Sequence, residues 1–416
     1  MQMAKSKCAE GAAVMALALA WLLACGQSWA QESTVYEGAL LITGDGSPPI
    51  ANSAFVVNNG RFTAVGRAGD VAAPQGATRV DLTGTTVMPA IIDAHTHLST
   101  TREALILDLR RRAYYGVAAA VSLGADGEEV PLEIRDEVIP DAALYRSAGL
   151  GISGPEPGRR EVHWVTSEDE ARQAVRDEAA RNVDLIKIWV DDRNGQYEKL
   201  SPAIYGAAID EAHRNGLRAT AHIFALEDGK GLLRAGIDLF AHGVRDRDID
   251  DEFLELIRAR PNVIVVPNLP DRGVVADYSW LAGSIPAAEL QALQANSTDR
   301  PEAQTAFGIQ ARNLARLSRA GVSIGFGTDG NTPWGPHVEM EDMVAAGMTP
   351  ADVLVAATRN AAAAAGLDDM GSIEVGKRAD FIVLEANPLD DITNTRRIQA
   401  VYLRGQSVDR AGPSPR

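Results

Sequence analysis

His95 and His97 stand two residues apart just after the apolar run Val87 to Ile92. Side chains two apart on an extended chain point the same way, so these imidazoles can chelate one ion. Two more histidines each close an apolar run, His222 in Ala219-Thr220-Ala221-His222 and His242 in Phe240-Ala241-His242-Gly243. Burying an unpaired imidazole there is costly, which leaves either a hydrogen-bonded core histidine or a metal ligand. Asp329 lies between glycines in Gly325-Phe326-Gly327-Thr328-Asp329-Gly330, where the backbone must turn. A carboxylate at that place can cap an Asx turn, or it can hold a metal and take a proton from water bound there. Lys187 interrupts the otherwise apolar run Asp184-Leu185-Ile186-Lys187-Ile188-Trp189-Val190. A buried ammonium tends to lose its proton, and the neutral amine can take up carbon dioxide as a carbamate able to bridge two metals. The alternative is a lysine paired with Asp191 or Asp184.

These residues need elements that bring them together. From residue 183 onward short apolar runs alternate with amphipathic stretches: Val183 to Val190, a helix near Pro202 to Asn215, Leu217 to Ile223, a helix near Asp228 to Ala235, and Ile237 to Ala241. The rhythm continues through Asn262 to Pro267, a helical stretch over 301–320 and Val322 to Gly327. Repeated βα units of this number predict an α/β chain folded as a (β/α)8 barrel, whose active site lies at the C-terminal ends of its strands. Each candidate ligand falls at such an end or in the strand leading to it. An open doubly wound sheet is the rival, but no Gly-x-Gly-x-x-Gly follows a first strand. Before the barrel, 31–88 holds short apolar runs broken by Gly-Asp-Gly, Pro-Pro and Asn-Asn-Gly turns, which predict a small antiparallel sheet. The same pattern returns in 367–416. The expected layout is a barrel over 89–366 with a small composite β-sandwich domain formed by both chain ends.

Met88-Pro89-Ala90-Ile91-Ile92-Asp93-Ala94-His95-Thr96-His97-Leu98 resembles the first-strand motif of the amidohydrolase superfamily, with Ala90 where glycine is usual. Gly325 to Asp329 resembles its eighth-strand motif. The stretch from Ala346-Gly347-Met348-Thr349-Pro350 through Ala356-Ala357-Thr358-Arg359-Asn360 to Gly371-Ser372-Ile373-Glu374-Val375-Gly376-Lys377-Arg378-Ala379-Asp380-Phe381 resembles its barrel exit. The likeness is to the imidazolonepropionase- and prolidase-like branch. It implies two divalent ions, zinc by default, with His95, His97 and Asp329 on one, His222 and His242 on the other, and an N6-carboxylated Lys187 bridging both. It further implies attack by a metal-bridging hydroxide on an amide of a dipeptide or N-acyl amino acid, with Asp329 as general base and acid. Imidazolonepropionase members use one metal, and Lys187 favours the prolidase-like side. A mononuclear cyclic-amide hydrolase or deaminase, or a lactonase or esterase, is the alternative. A non-catalytic binding protein would be expected to have lost ligands, and none is missing. One departure is Ile223-Phe224 after His222, where relatives often carry a further histidine.

Substrate groups should come from the loops after the strands, which hold Asp191, Asp192, Arg193, Arg245, Arg247, Arg272, Trp334 and His337. Arg245 or Arg272 is the candidate partner for a substrate carboxylate. The rest of the chain sets limits. Its 416 residues carry a formal net charge of -16, which argues against nucleic acid as a partner and leaves a small-molecule substrate. Residues 1–30 read as a signal peptide: Lys5 and Lys7 precede the apolar run Gly11 to Ala24, and Ser28-Trp29-Ala30 offers a cleavage site. That run is shorter than the roughly 20 residues of a membrane-spanning helix, so no integral span is expected. The protein is expected to be exported, periplasmic or secreted. Leu22-Leu23-Ala24-Cys25 is the competing signal, for a lipoprotein anchored on Cys25. Both cysteines, Cys8 and Cys25, lie in this segment, so a chain starting at Gln31 has no thiol for a disulfide or a metal.

Overall fold

The computed structural model describes residues 33–159 and 162–415. The segment read as an export signal, and both cysteines, lie outside the described residues. Among the described residues, no helix is long and apolar enough to cross a membrane.

The chain opens with six strands, β1 Thr34–Glu37, β2 Leu40–Leu41, β3 Ser53–Asn58, β4 Arg61–Arg67, β5 Thr78–Asp81 and β6 Thr86–Pro89. Turns at Asn59-Gly60, both with positive φ, join β3 to β4 as an antiparallel hairpin. The expected purely antiparallel pattern is not what forms, because β1 pairs with β5 in parallel and β2 pairs with β6 in parallel. The intervening chain crosses between two sheets instead of folding back on one.

Next come β7 Ile91–Thr96, β8 Val117–Ser122 and β9 Leu144–Ser147, a parallel three-stranded sheet. A parallel sheet of seven strands follows, with β10 Gly151–Ser153, β11 Val162–Trp164, β12 Ile186–Val190, β13 Ala219–Ile223, β14 Leu239–Phe240, β15 Ile264–Val265 and β16 Ser323–Ile324 in the order β11-β10-β12-β13-β14-β15-β16. Helices alternate with these strands, giving an α/β fold of TIM-barrel type. Local sequence sets the helix starts. Ser167 accepts a hydrogen bond from the Glu170 N–H at the head of Glu168–Ala180, and Ser201 caps Pro202–Arg214 with proline in its first turn. The two sheets are joined by hydrogen bonds. The Ala94 N–H donates to the Phe326 carbonyl at 2.9 Å, a parallel bridge links Thr96 and Gly330, and the Asp184 N–H donates to the Ser147 carbonyl at 2.9 Å.

The chain ends in β17 Phe381–Leu384, β18 Ile398–Leu403 and β19 Gln406–Ser407. These enter a five-stranded sheet of order β19-β18-β17-β6-β2, so residues from both chain ends share one sheet. An aromatic core lies between it and the sheet of β1, β3, β4 and β5. Tyr36 stacks on Phe55 at 5.0 Å between ring centroids, and Phe381 stacks on Tyr402 at 4.5 Å. Burying rings of this size from both sheets favours docking one on the other.

Candidate metal centre

The register of β12 on β13 sets Lys187 beside Thr220 and Trp189 beside His222. With a period of two, these four face one way, while Ile186, Ile188, Val190, Ala219, Ala221 and Ile223 face the other, into the apolar core. His95 comes from β7 and His97 follows it; His242 lies two residues past β14, and Asp329 five residues past β16. Asp329 sits at φ 53°, a left-handed conformation that Asp tolerates better than most residues and that aims its carboxylate across the strand ends. Two glycines make the approach possible. A Cβ on Gly327 would stand 2.8 Å from the His95 Cβ, and one on Gly124 would stand 2.8 Å from the Lys187 Cγ.

The arrangement brings four of the expected ligands onto one point. Asp329 Oδ1 lies 3.1 Å from His95 Nε2 and 3.0 Å from His97 Nε2, and its Oδ2 lies 3.6 Å from His242 Nε2. His95, His97 and Asp329 place one ligand atom each within 4.8 Å of one another, a group that could hold a metal ion. His222 adjoins His242 at 4.5 Å between centroids, but its Nε2 is hydrogen-bonded to Asp191 Oδ2 at 3.0 Å. Asp191 in turn pairs with Arg193 at 3.0 Å.

Lys187 is 1% exposed, and its Nζ has no hydrogen-bond partner among the described residues. Both acids proposed from sequence as its partner are engaged elsewhere, Asp191 as above and Asp184 with the Ser147 N–H at 2.8 Å and Arg146 at 3.5 Å. Burial lowers the Lys187 amine to about 7, with Asp329 pulling the other way. Burial likewise lowers His95 to about 3 and His222 to about 4, so both imidazoles are neutral and able to ligate at neutral pH. Burial opposes ionisation of Asp329 too, but the surrounding His95, His97 and His242 rings hold its carboxyl far below the usual range. Among the described residues, buried His95 Nε2 also has no partner in hydrogen-bonding geometry, although Asp329 Oδ1 lies 3.1 Å from it. A buried amine and imidazole nitrogens grouped around a carboxylate form a donor set suited to divalent ions.

Sequence reading missed the residues that hold this set in place. Asp93 Oδ1 accepts the His95 and Thr328 N–H groups at 3.3 and 3.0 Å; its Oδ2 accepts Thr328 Oγ1 at 2.7 Å and Arg112 Nη1 at 2.8 Å. Arg112 also donates to the Gly330 carbonyl at 2.7 Å, so this buried pair clamps the His95 strand to the Asp329 loop. Arg112→Met leaves Asp93 buried without its cation and is expected to cost about 3–5 kcal/mol of stability. Urea unfolding of the variant beside the parent measures this, and a change below about 1 kcal/mol would contradict the clamp. Asn268, three residues past β15, was also missed; its Nδ2 lies 2.6 Å from His95 Nδ1 and beside the Ala241 carbonyl. The one available signal was a polar residue closing the run Val263 to Pro267.

Other loop residues sort differently. His337 is buried beside Trp280, with its ring nitrogens engaged by the Tyr115 carbonyl at 3.0 Å and Thr395 Oγ1 at 3.1 Å. Arg247 is exposed and pairs with Asp246. Arg245 is half-buried, and its Nε has no hydrogen-bond partner among the described residues. A cleft of about 450 Å³ opens beside Asp329, lined by Thr328, Gly330, Trp334 and Arg272 among others. The fork of Arg272 is already held by Glu341 and Asp342, each at 2.6 Å.

The family model described as the amidohydrolase family matches residues 86–408, nearly all of the described chain. The chain belongs to the amidohydrolase family. It is an enzyme of the class that hydrolyses carbon–nitrogen bonds. This amidohydrolase is 34% identical to an imidazolonepropionase of Deinococcus deserti over 78% of this chain and 83% of the relative. It is 26% identical to ochratoxinase of Aspergillus niger over 89% of this chain and 85% of the relative. Among solved structures, a Xaa-Pro dipeptidase with bound methionine in the active site superposes with a TM-score of 0.73 at 21% identity, covering 90% of this chain and 99% of that one. That last likeness establishes the fold alone.

Proposed function

We propose that this amidohydrolase cleaves an amide bond in a dipeptide or N-acyl amino acid, at a centre of two divalent ions held by His95, His97, Lys187, His222, His242 and Asp329. The observation that carries the reading is Lys187, a buried amine with no hydrogen-bond partner among the described residues, set beside four converging ligands. Its lowered pKa makes it ready for N6-carboxylation, which would turn an isolated amine into an anionic bridge. His222 would reach its ion by exchanging its bond to Asp191. Zinc fits this set of nitrogen and carboxylate donors. The ions, when bound, would supply a water acidified toward neutral pH and polarisation of the scissile carbonyl. Asp329 holds the proton taken from that water and delivers it to the leaving amine.

The reading also takes β7 to β9 and β12 to β16 as a closed eight-stranded barrel over 89–366. The Ala94–Phe326 and Asp184–Ser147 hydrogen bonds at the two seams support this. It takes 31–88 and 367–416 as one composite β-sandwich, supported by their shared sheet and aromatic core. Export to the periplasm or medium is part of the same proposal and rests on residues 1–30. His95, His97 and Asp329 alone fit one ion, so a mononuclear cyclic-amide hydrolase or deaminase is the second reading.

Arg245 is the anchor for the substrate carboxylate. Among the described residues its guanidinium, unlike that of Arg272, is not taken by an ion pair, and it lies close enough to Asp329 and Asp191 to feel their charge. The test is hydrolysis of N-acyl amino acids and dipeptides by parent and Arg245→Met, with and without a chelator. Chelation should abolish turnover, and the variant should raise KM about tenfold or more with little change in kcat. An unchanged KM removes Arg245 from the role, and chelator-resistant turnover removes the metal reading.

A further inference from the structure

The charges in the walls of the cleft beside Asp329 are paired, with one exception. Asp271 meets Arg300 at 2.5 Å, and Arg272 meets Glu341 and Asp342. Glu339, on the helix Gly335–Ala345, lines the same cleft, is 5% exposed and has no ion-pair partner among the described residues. One of its carboxyl oxygens accepts the Leu269 N–H at 3.0 Å, and no hydrogen bond among the described residues holds the other. Burial pushes this carboxyl well above the usual range, and Asp342, Asp93 and Asp329 push the same way. An unpaired buried acid is costly to ionise unless a cation enters to meet it. Tyr278 and Trp334 supply aromatic surface in the same cleft, which suits a cationic group on a carbon chain.

We propose that Glu339 anchors a positively charged nitrogen of the substrate, so that the cleft selects amides carrying an ammonium or guanidinium group. This rests on the amide-hydrolysis reading for its biological meaning, but the binding itself can be tested separately. Benzylammonium is a suitable probe, with benzyl alcohol as its neutral counterpart. Both are titrated against the intact protein and Glu339→Gln, which keeps an oxygen for the Leu269 N–H. The parent should bind benzylammonium more tightly than benzyl alcohol. The variant should weaken benzylammonium about tenfold or more and leave benzyl alcohol within about twofold. Equal binding of the two probes by the parent, or an unchanged benzylammonium affinity in the variant, overturns the proposal. Equal weakening of both probes in the variant also overturns it, because that is a structural role.

Hydrolysis of L-alanyl-L-leucine, N-acetyl-L-alanyl-L-leucine and N-acetyl-L-lysyl-L-leucine then locates the cation. A KM penalty in Glu339→Gln confined to the first identifies an α-ammonium, and one confined to the third a side-chain ammonium. A penalty shared by all three counts against the anchor. Failure of the parent to cleave any amide would sink the amide reading, while the benzylammonium result would still decide the role of Glu339.

Discussion

Asp329→Asn is expected to lower kcat by about a thousandfold or more while the protein stays folded. Asparagine matches aspartate in size and accepts the left-handed backbone at φ 53°, so the turn after β16 is not strained. The Asp329 N–H still donates to the His95 carbonyl at 2.8 Å, and Thr328 still bonds Asp93. What is lost is the negative charge that meets three imidazoles and the proposed proton-transfer group. General acid–base catalysis alone contributes about 10²–10⁴-fold, and weakened metal binding adds to it. The check is steady-state kinetics on the variant with its metal content measured in the same sample. A fully metallated Asp329→Asn that keeps more than a tenth of the parent kcat would remove the proton-transfer role.

Lys187→Ala is the second large effect, and it should act on metal binding and turnover together. Removing the side chain deletes the proposed protein-derived bridge and leaves a space among Trp189, Gly124 and the strand ends. Two ions close together with one bridging anion fewer repel more strongly, so occupancy should fall and kcat with it, by about a thousandfold. A small carboxylate such as formate or acetate can enter that space and should restore part of the activity. The pH dependence follows from the same amine. Its value is lowered from 10.5 to about 7, so the reactive neutral form is scarce at pH 6 and prevalent at pH 8. Metal loading of the metal-free protein should therefore gain from added bicarbonate increasingly as pH rises from 6 to 8. Bicarbonate that has no effect at any pH, with unimpaired turnover in Lys187→Ala, would contradict the bridge.

The parts of the site that were legible in the sequence are those written as local pattern. His95-x-His97 follows an apolar run, Asp329 sits among glycines, and a lysine interrupts an apolar strand. The repeating βα rhythm placed His95, His97 and Asp329 at or beyond strand ends and Lys187 within a strand, and the structure has Lys187 as the second residue of β12. Strand lengths were less legible: the run Val322 to Gly327 yields only the two-residue strand Ser323–Ile324. The apolar residues beyond it, such as Phe326, stay buried while the backbone leaves the ladder to reach His95. Burial therefore outruns hydrogen bonding, and apolar pattern reports burial.

Long-range pairing was not legible. Asp93 and Arg112 read as ordinary charged residues, because nothing local says that an arginine on a helix face is fully buried against an acid 19 positions earlier. Arg272 and His337 were candidate substrate groups by chain position. Their partners, Glu341 and Asp342 for the first and Tyr115 and Thr395 for the second, come from distant segments that fix them instead as structural residues. Glu339 escaped for the same reason, since its isolation is visible only once Arg272 and Arg300 are seen to be paired with other acids.

The most direct test of the two-metal centre is a count of metal per chain in the purified protein, taken beside Lys187→Ala. About two ions in the parent, falling to one or none in the variant, is the expected result. A single ion that the variant leaves in place would contradict the bridge and return the site to His95, His97 and Asp329 alone; no metal in an active, folded protein would contradict the metal centre altogether.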